Sequence, residues 1–306
     1  MEFGIKPASF STDGSRGKSF VEKTIKFVRE TPEFNVIWMS DHFIPWPSDH
    51  PNVPLNADLY ECWTLSSYLA GAFPNRKIGQ CVMANSYRNP ALVAKMAATL
   101  DALSGGRLIL GLGAGRLEEE YHQYGYEFPS AAVRIKQLEE AVQIIRKMWT
   151  EDKVTFKGRY FHIQNATAHP QPDTCPPILI AGAGEKRTLR IVAKYADWWN
   201  MSAKSLEDYE HKLKVLAEHC VKVGRDFDEI RKTCEFHVAI GETKEQAEDI
   251  ILKGNKAQLV GTPEEVVDYL TGFINLGVDY CMVRFTDEPS TTGARIFAEK
   301  VIPKLN

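Results

Sequence analysis

The chain has 306 residues, of which 44% are hydrophobic and 25% are charged, so it is long enough to bury a large core as a soluble globular protein. A formal net charge of −3 without a basic run excludes the usual signatures of nucleic-acid and membrane-surface binding. Apolar runs are too short for a membrane span, the N-terminus lacks a signal-peptide pattern, and the cysteines form no CxxC pair. We therefore expect a cytoplasmic protein with reduced thiols.

Short apolar runs alternate with longer amphipathic ones along the chain. Most of the short runs are apolar without interruption, which is typical of parallel strands buried on both faces. The predicted strands are Phe3–Lys6, Val36–Ser40, Lys77–Met83, Leu108–Gly111, Ile178–Ala181, Asp197–Asn200, Thr233–Ile240 and Tyr280–Arg284.

Helices are predicted between these strands. One begins with Asn89 as its cap and Pro90 in its first turn, and Gly105-Gly106 ends it. Another begins with Thr262 and Glu265 at the spacing of a capping box.

Strands alternating with helices eight times predict a (β/α)8 TIM barrel, formed as a single domain over residues 1–306. An open, doubly wound sheet is the alternative. Two regions break the alternation. Residues 152–164 are predicted to form a β-hairpin with its turn at Lys157-Gly158, and residues 244–260 an additional helix. We expect both to be insertions on the barrel.

Polar, small and glycine-rich residues gather where the predicted strands end. Barrels bind their ligands at this carboxyl end of the strands, so the sequence predicts one pocket built from these segments. They are Lys6-Pro7, Asp41-His42, Met83–Asn85, Gly111–Arg116, Ala181–Glu185, Asn200–Ser202 and Arg284.

The pair Asp41-His42 follows a strongly apolar strand. A histidine with an ordinary pKa of about 6.5 exchanges protons near neutral pH, which favours a catalytic imidazole beside a ligand-contacting carboxylate. The alternative is that Asp41 caps the next segment and His42 is structural.

Two glycine turns follow predicted strands. The stretch Leu110–Arg116 reads GxGxG, which differs from the GxGxxG dinucleotide motif. Gly182-Ala183-Gly184 precedes a helix, and the amides of a helix N-terminus suit a phosphate group. Lys186 or Arg187 would add positive charge there. Tight turns without any ligand are the alternative.

Other chemistry is disfavoured. Glu119 and His122 form one isolated ExxH, whereas carboxylate-bridged metal sites use paired copies, so no metal site is expected. No GxSxG motif is present, which argues against a nucleophilic serine hydrolase.

Taken together, these stretches resemble the luciferase-like family of flavin and deazaflavin oxidoreductases across nearly the whole chain. The supporting segments are "VIWMSDHF", "YRNPALVAKMAATLDALSGGRLILGLGAGRLEEEYHQYG", "ILIAGAGEKRTLRIVAKYADWWN" and "LVGTPEEVVDYL". The resemblance implies a (β/α)8 barrel, commonly dimeric, so a homodimer is expected.

The stretch "SDHFIPW" closely resembles the coenzyme F420-dependent sugar-phosphate dehydrogenases, and "QCVMANSYRNPALVAKMAATLD" resembles actinobacterial members assigned to that coenzyme. This resemblance implies coenzyme F420 as cofactor. Asp41 would contact the deazaflavin, and His42 would transfer a proton near the hydride-accepting carbon.

The resemblance also implies the remaining site residues. A non-proline cis peptide in the third strand would fall at Gln80–Cys81. Further coenzyme contacts are assigned to Gln80, Cys81, Met83, Ala114, Gly115, Glu119, Gly182, Ala183 and Gly184. The substrate pocket is assigned to Trp46, Glu61 and Arg116.

One position departs from the dehydrogenases. They carry a catalytic glutamate where this chain has Arg116. Glu118, Glu119 and Glu120 are the nearest substitutes, but their register does not match, which weakens the case for glucose 6-phosphate as the substrate. We therefore expect an F420-dependent oxidoreductase that acts on a small organic substrate. The alternatives are an FMN-dependent monooxygenase on the same barrel and a non-catalytic flavin-binding protein.

Overall fold

The structure is a computed structural model, and it describes residues 1–45, 53–54, 56–252 and 256–305. The described residues form twelve β-strands and eleven α-helices. The strands are β1 (Glu2–Ile5), β2 (Val36–Met39), β3 (Lys77–Gln80), β4 (Met83–Ala84), β5 (Leu108–Gly113), β6 (Val154–Lys157), β7 (His162–Ala166), β8 (Ile178–Ala181), β9 (Trp198–Met201), β10 (Arg231–Ile240), β11 (Leu259–Gly261) and β12 (Tyr280–Phe285). The helices are α1 (Lys18–Arg29), α2 (Cys62–Ala72), α3 (Pro90–Ser104), α4 (Glu118–Gln123), α5 (Ala131–Thr150), α6 (Thr188–Tyr195), α7 (Leu206–Val223), α8 (Lys244–Leu252), α9 (Pro263–Asn275), α10 (Thr292–Lys300) and α11 (Ile302–Leu305).

The main sheet runs in the order β11-β10-β12-β1-β2-β3-β5-β8-β9, and β9 also pairs with β10. Eight strands therefore follow one another in a closed ring, while β4 pairs with β5 and β11 lies outside the ring beside β10. A ring of eight strands with intervening helices is the (β/α)8 barrel, so the predicted fold class is confirmed.

The third predicted strand is interrupted. β3 ends at Gln80 and the chain resumes as β4 at Met83, with a cis peptide between Cys81 and Val82. The prediction that this bond joins Gln80 to Cys81 is wrong by one residue. The reason is that β3 continues through Gln80, whose carbonyl lies so close to Gly111 that an added Cβ there would be 1.7 Å away.

The helix signals of the sequence are confirmed. Asn89 accepts a hydrogen bond from the amide of Ala91, and Gly105 ends α3 at a φ of 71°. Thr262 and Glu265 form a reciprocal capping box at the start of α9. None of the helices in the described ranges is both long enough and apolar enough to cross a membrane.

The predicted hairpin is confirmed as the antiparallel pair β6 and β7. Its turn is longer than expected, because the amide of Gly158 donates to the carbonyl of Phe161 at 2.9 Å. Glu140 of α5 organises this turn by accepting the amides of residues 159, 160 and 161 at 2.8–3.0 Å.

The second predicted insertion is partly wrong. A helix does begin at Lys244, but it ends by Leu252, and a short strand, β11, follows at Leu259. Leu259 and Val260 pair in parallel with Val238 and Ala239 of β10. The apolar pair gains more from this backbone pairing beside β10 than it would on a solvent-exposed helix.

The described residues divide into two compact units. The first unit comprises Met1–Leu65, Asn200–Leu213 and Arg231–Asn306, and the second comprises Ser66–Trp199 and Lys214–Ile230. The prediction of one domain over the whole chain stays a prediction.

Strand alternation in the first unit sets which side chains face inward. Trp38 donates to the Tyr280 hydroxyl at 3.0 Å, and both press against Gly4, where an added Cβ would lie 2.1 Å from that hydroxyl. Phe285, on the opposite face of β12, instead packs against Phe297 of α10. Tyr280 and the residues at even positions after it therefore face the inside of the ring.

Candidate active site

β2 delivers Asp41 and His42 from the core. All four residues of the strand are buried, Asp41 is only 3% exposed, and His42 is half-buried. The sequence places a buried carboxylate next to an imidazole that solvent or a ligand still reaches. Trp46, the predicted neighbour in the substrate pocket, lies outside the described residues.

A group of ionisable side chains occupies the inward face of the first unit. Lys6, directly after β1, donates to Glu235 at 2.6 Å, and His237 lies 3.4 Å from the same carboxylate oxygen. Phe236 points the other way, packing on Phe273 of α9. Because strand side chains alternate, Glu235 and His237 face away from the helices.

The partners of Glu235 keep it ionised. Burial alone would raise its pKa, but the neighbouring Lys6 and His237 hold the pKa well below its usual range. Burial lowers the pKa of His237, while Glu235 acts in the opposite direction. The inward face thus carries a buried ion pair beside an imidazole that favours its neutral form.

Arg284 and Glu288 extend this group along β12 and the loop after it. Arg284 is paired in register with His237, is 8% exposed and lies 5.3 Å above the Phe10 ring. Burial raises the pKa of Glu288 to about 8, although Arg284 opposes the shift. One oxygen of Glu288 accepts the Ala8 amide at 2.7 Å, and among the described residues the other oxygen has no hydrogen-bond partner.

The sequence analysis missed three members of this group, Glu235, His237 and Glu288. It sought polar residues where strands end, whereas Glu235 and His237 lie inside β10. A usable signal existed: Thr233, Glu235 and His237 recur at every second position of an otherwise apolar run.

In the second unit, packing fixes the turn that follows β5. Gly115 has a φ of +73°, and an added Cβ would lie 1.9 Å from the Tyr121 hydroxyl oxygen. Arg134 of α5 donates to the Gly115 carbonyl at 3.3 Å, and its guanidinium stacks 3.9 Å above the Phe128 ring. A glycine is required here by geometry, and the turn is held in one conformation.

The turn after β8 is built in a similar way. Gly182 has a φ of +130°, and its carbonyl accepts the indole N–H of buried Trp199 at 2.9 Å. The first turn of α6 contains no acidic residue, and exposed Lys186 and Arg187 immediately precede this helix. Exposed Glu185 lies in the same turn, so Lys186 and Arg187 leave it one net positive charge, which together with the helix N-terminus suits an anionic group.

The predicted coenzyme contacts around the end of β3, Gln80, Cys81 and Met83, are all buried, but their side chains have different surroundings. Cys81 and Met83 are buried between the ends of β3 and β4. The amide of Gln80 lies toward the helix layer, 3.4 Å from the Ser66 hydroxyl of α2. A coenzyme contact through the Gln80 side chain is therefore less favourable than one through the backbone of this segment.

The glutamates after the first glycine turn have different environments. Glu119 is exposed and accepts a hydrogen bond from Gln123 at 3.0 Å, and Arg116 is exposed as well. Glu120 is instead 1% exposed and accepts the Tyr87 hydroxyl at 2.7 Å. The buried glutamate of this helix is thus Glu120, whereas the coenzyme contact predicted from the sequence was assigned to Glu119.

Glu61, predicted to line the substrate pocket, caps a helix. Its carboxylate accepts the amides of Trp63 and Thr64 at 3.0 and 2.7 Å, at the start of α2. This arrangement satisfies amides that a helix leaves open at its N-terminus. No group of three or more histidine, cysteine or acidic side chains suited to a metal ion occurs in the described part of the chain.

Comparison with known proteins identifies the family of this chain. The family model for luciferase-like monooxygenases matches residues 30–258, three quarters of the chain. An F420-dependent glucose-6-phosphate dehydrogenase of Amycolatopsis mediterranei (strain U-32) is 32% identical over 220 residues, covering 69% of this chain and 62% of the relative. The chain thus spans about three fifths of the length of the first curated relatives it matches, at 62% and 61%.

Solved structures share the fold over the full length. An F420-dependent secondary alcohol dehydrogenase in complex with an F420-acetone adduct superposes with a TM-score of 0.83 at 24% identity, covering 100% of both chains. A monooxygenase from Streptomyces bottropensis superposes with a TM-score of 0.81 at 18% identity, again over 100% of both chains. With the family model covering most of its length, this chain belongs to the luciferase-like monooxygenase family.

Proposed function

We propose that the chain is a coenzyme F420-dependent oxidoreductase that transfers a hydride between the deazaflavin and a small organic substrate. The observation that carries the proposal is the match to an F420-dependent dehydrogenase over 69% of this chain at 32% identity. The segment Ser40-Asp41-His42, at the end of a fully buried strand, supplies an acid–base group of the kind that hydride transfer requires.

The residues present fit this coenzyme. F420 carries a planar ring, a ribityl chain, a phosphate and a glutamate tail, so it needs both close backbone approach and positive charge. The Gly115 turn and the turn of Gly182 and Gly184 bring backbone groups to the strand ends, and Lys186 and Arg187 stand exposed after the second turn. We assign the ribityl and phosphate parts to these turns and the ring to Asp41.

When bound, the coenzyme supplies or accepts the hydride as a two-electron carrier. The protein's own part is proton management and orientation. We assign His42 to hold the substrate proton at a ring nitrogen: it takes the hydroxyl proton when an alcohol is oxidised and returns a proton when a double bond is reduced. Its partial burial limits competing water while leaving the ring reachable.

The inward face of the first unit supports a polar substrate. Lys6 and Arg284 offer donors, Glu235 is ionised, and Glu288 with its pKa near 8 is a neutral acid at pH 7. A small molecule bearing hydroxyl or carbonyl oxygens would find partners there. Arg116 is exposed, and we assign it to the outer edge of the substrate pocket.

We propose a homodimer as well. Tyr68 of α2 and Leu92 and Leu103 of α3 are more than half exposed, at 55%, 52% and 81%. α2 contains no charged residue, so a second copy of the chain can pack on its exposed side without burying an unpaired charge. A cytoplasmic location fits cysteines that are free thiols, five of the six being buried.

Fluorescence titration with oxidised F420 and, in parallel, with FMN tests the cofactor. The proposal predicts tighter binding of F420 and turnover without oxygen consumption. Preferential FMN binding with oxygen uptake would instead favour a monooxygenase, the activity named for the Streptomyces bottropensis protein that shares this fold. Binding of F420 without turnover on a broad panel of alcohols and enones would favour a non-catalytic binding protein.

A further inference from the structure

An unpartnered amide stands at the end of the third barrel strand. β4 pairs in parallel with β5 so that Ala84 lies opposite Gly113, the last residue of β5 before the glycine turn. Asn85 directly follows Ala84 and begins a short 3-10 turn. Asn85 is 6% exposed, and its Nδ2 is buried with no hydrogen-bond partner among the described residues. The hydroxyl of the adjacent Ser86 is also buried without a hydrogen-bond partner in the described ranges.

This pattern is unusual, because buried amide groups in folded proteins are nearly always paired. The surrounding segment is not loosely held. Tyr87 donates to Glu120 at 2.7 Å, and its carbonyl accepts the Tyr126 hydroxyl at 3.1 Å. The Tyr87 ring also packs 4.9 Å from the Tyr121 ring. Two unpaired polar groups are therefore presented by a well-anchored turn.

We propose that the carboxamide of Asn85 binds a ring carbonyl of the deazaflavin, with the hydroxyl of Ser86 as a second contact. This assignment rests on the proposed function and deepens it. The pyrimidinedione end of the ring carries amide-like carbonyl oxygens, which a primary amide matches as a donor. Asn85 also directly follows the pair of Ala84 and Gly113, and Gly113 leads into the turn of Ala114 and Gly115 that we assign to the same coenzyme.

Titration with oxidised F420 tests the assignment on wild type, Asn85→Ala and Asn85→Asp. Loss of one buried hydrogen bond predicts a roughly tenfold weaker Kd for Asn85→Ala. Asn85→Asp, which replaces the donors by a carboxylate facing a carbonyl oxygen, is expected to weaken binding further. Without coenzyme, the Tm of Asn85→Ala is expected to equal or exceed that of wild type, since an unpaired buried group is removed.

Gln137 of α5 is the matched control, because it too has a buried amide oxygen without a hydrogen-bond partner among the described residues. Gln137→Met should leave the Kd for F420 unchanged. An Asn85→Ala or Asn85→Asp protein that binds F420 like wild type, or an Asn85→Ala protein with a clearly lowered Tm and normal Kd, overturns the assignment alone. A wild-type protein that does not bind F420 overturns the proposed function and this assignment with it.

Discussion

The inward positions of the first unit and the strand ends of the second unit are built differently. In the first unit, inward positions of the strands carry ionisable side chains, among them Lys6, Glu235 and Arg284. In the second unit, the strands end in turns built on Gly115 and Gly182, held by aromatic and arginine side chains behind them. We call the ionisable side chains of the first unit the charged end, and the glycine turns of the second unit, which present backbone amides and carbonyls, the backbone end.

This difference suggests a division of labour. A backbone turn recognises shape and phosphate and tolerates few changes, which suits the phosphate-bearing chain of a coenzyme. Side-chain charges are altered by single substitutions, which suits substrates that differ between relatives.

The largest effect is expected from a substitution of His42. His42→Ala should lower turnover by about 10²–10⁴-fold, because it removes the proposed proton carrier. The Kd for F420 should stay within a few-fold of wild type. Steady-state kinetics and fluorescence titration measure the two quantities. His122→Ala, an exposed histidine of α4, is the control and should change neither. Unchanged turnover in His42→Ala would remove this residue from the mechanism.

The charged end should be fragile when one partner alone is removed. Lys6→Met leaves Glu235 buried without its ammonium partner, which should cost about 3–5 kcal/mol of unfolding free energy in urea denaturation. Adding Glu235→Gln to Lys6→Met should recover much of that loss. Lys18→Met breaks an exposed pair with Glu22 and should change stability by less than about 0.5 kcal/mol. Equal losses of unfolding free energy for Lys6→Met and Lys18→Met would mean that burial does not strengthen the contribution of the Lys6–Glu235 pair.

How far the sequence predicted these regions depends on the physics of each. Local signals worked, because the cap at Asn89 and the capping box at Thr262 and Glu265 depend on residues a few positions apart. Continuous apolar runs gave the strands, because a barrel strand is buried on both faces. Both glycine turns were identified at strand ends.

The failures involve long-range pairing. Glu235 is an ion-pair partner only because a residue 229 positions away reaches it, which no local pattern contains. The break in the third strand is shifted by one residue because β3 continues through Gln80, whose carbonyl packs against Gly111 of β5. β11 exists only because β10 offers a free edge next to Leu259.

The backbone end should be sensitive to a single methyl group. Gly115→Ala places a Cβ on the Tyr121 hydroxyl at a φ of +73°, whereas Gly125, at a φ of +72°, has nothing within 4 Å of that position. Both alanines carry the left-handed conformational cost of about 1–2 kcal/mol, and only Gly115→Ala adds overpacking of about 1–3 kcal/mol. In urea denaturation, the unfolding free energy of Gly115→Ala should therefore be about 1–3 kcal/mol lower than that of Gly125→Ala. F420 titration should show weaker binding for Gly115→Ala alone, and identical behaviour would mean that the turn adapts.

The last comparison concerns the pH dependence of the charged end, where the change in stability is small for each pH unit. Burial raises the pKa of Glu288 from 4.5 to about 8, so between these pH values the folded protein holds a proton that the unfolded chain has released. Raising the pH therefore favours unfolding, by at most about 1.4 kcal/mol per pH unit for this group, and the contribution is lost by about pH 8.

Glu288→Gln keeps the neutral form at every pH and should remove this slope. Other groups add slopes of their own: His237, with a lowered pKa, gains stability as pH rises, and Glu235 loses stability only in acid. They are present in both proteins, so the difference in unfolding free energy between Glu288→Gln and wild type isolates Glu288. That difference should grow in favour of the variant from pH 5 to pH 8 and then level off. Parallel curves across that range would show that Glu288 is already ionised in the folded protein, in which case the charged end holds one more anion and would favour a more cationic substrate.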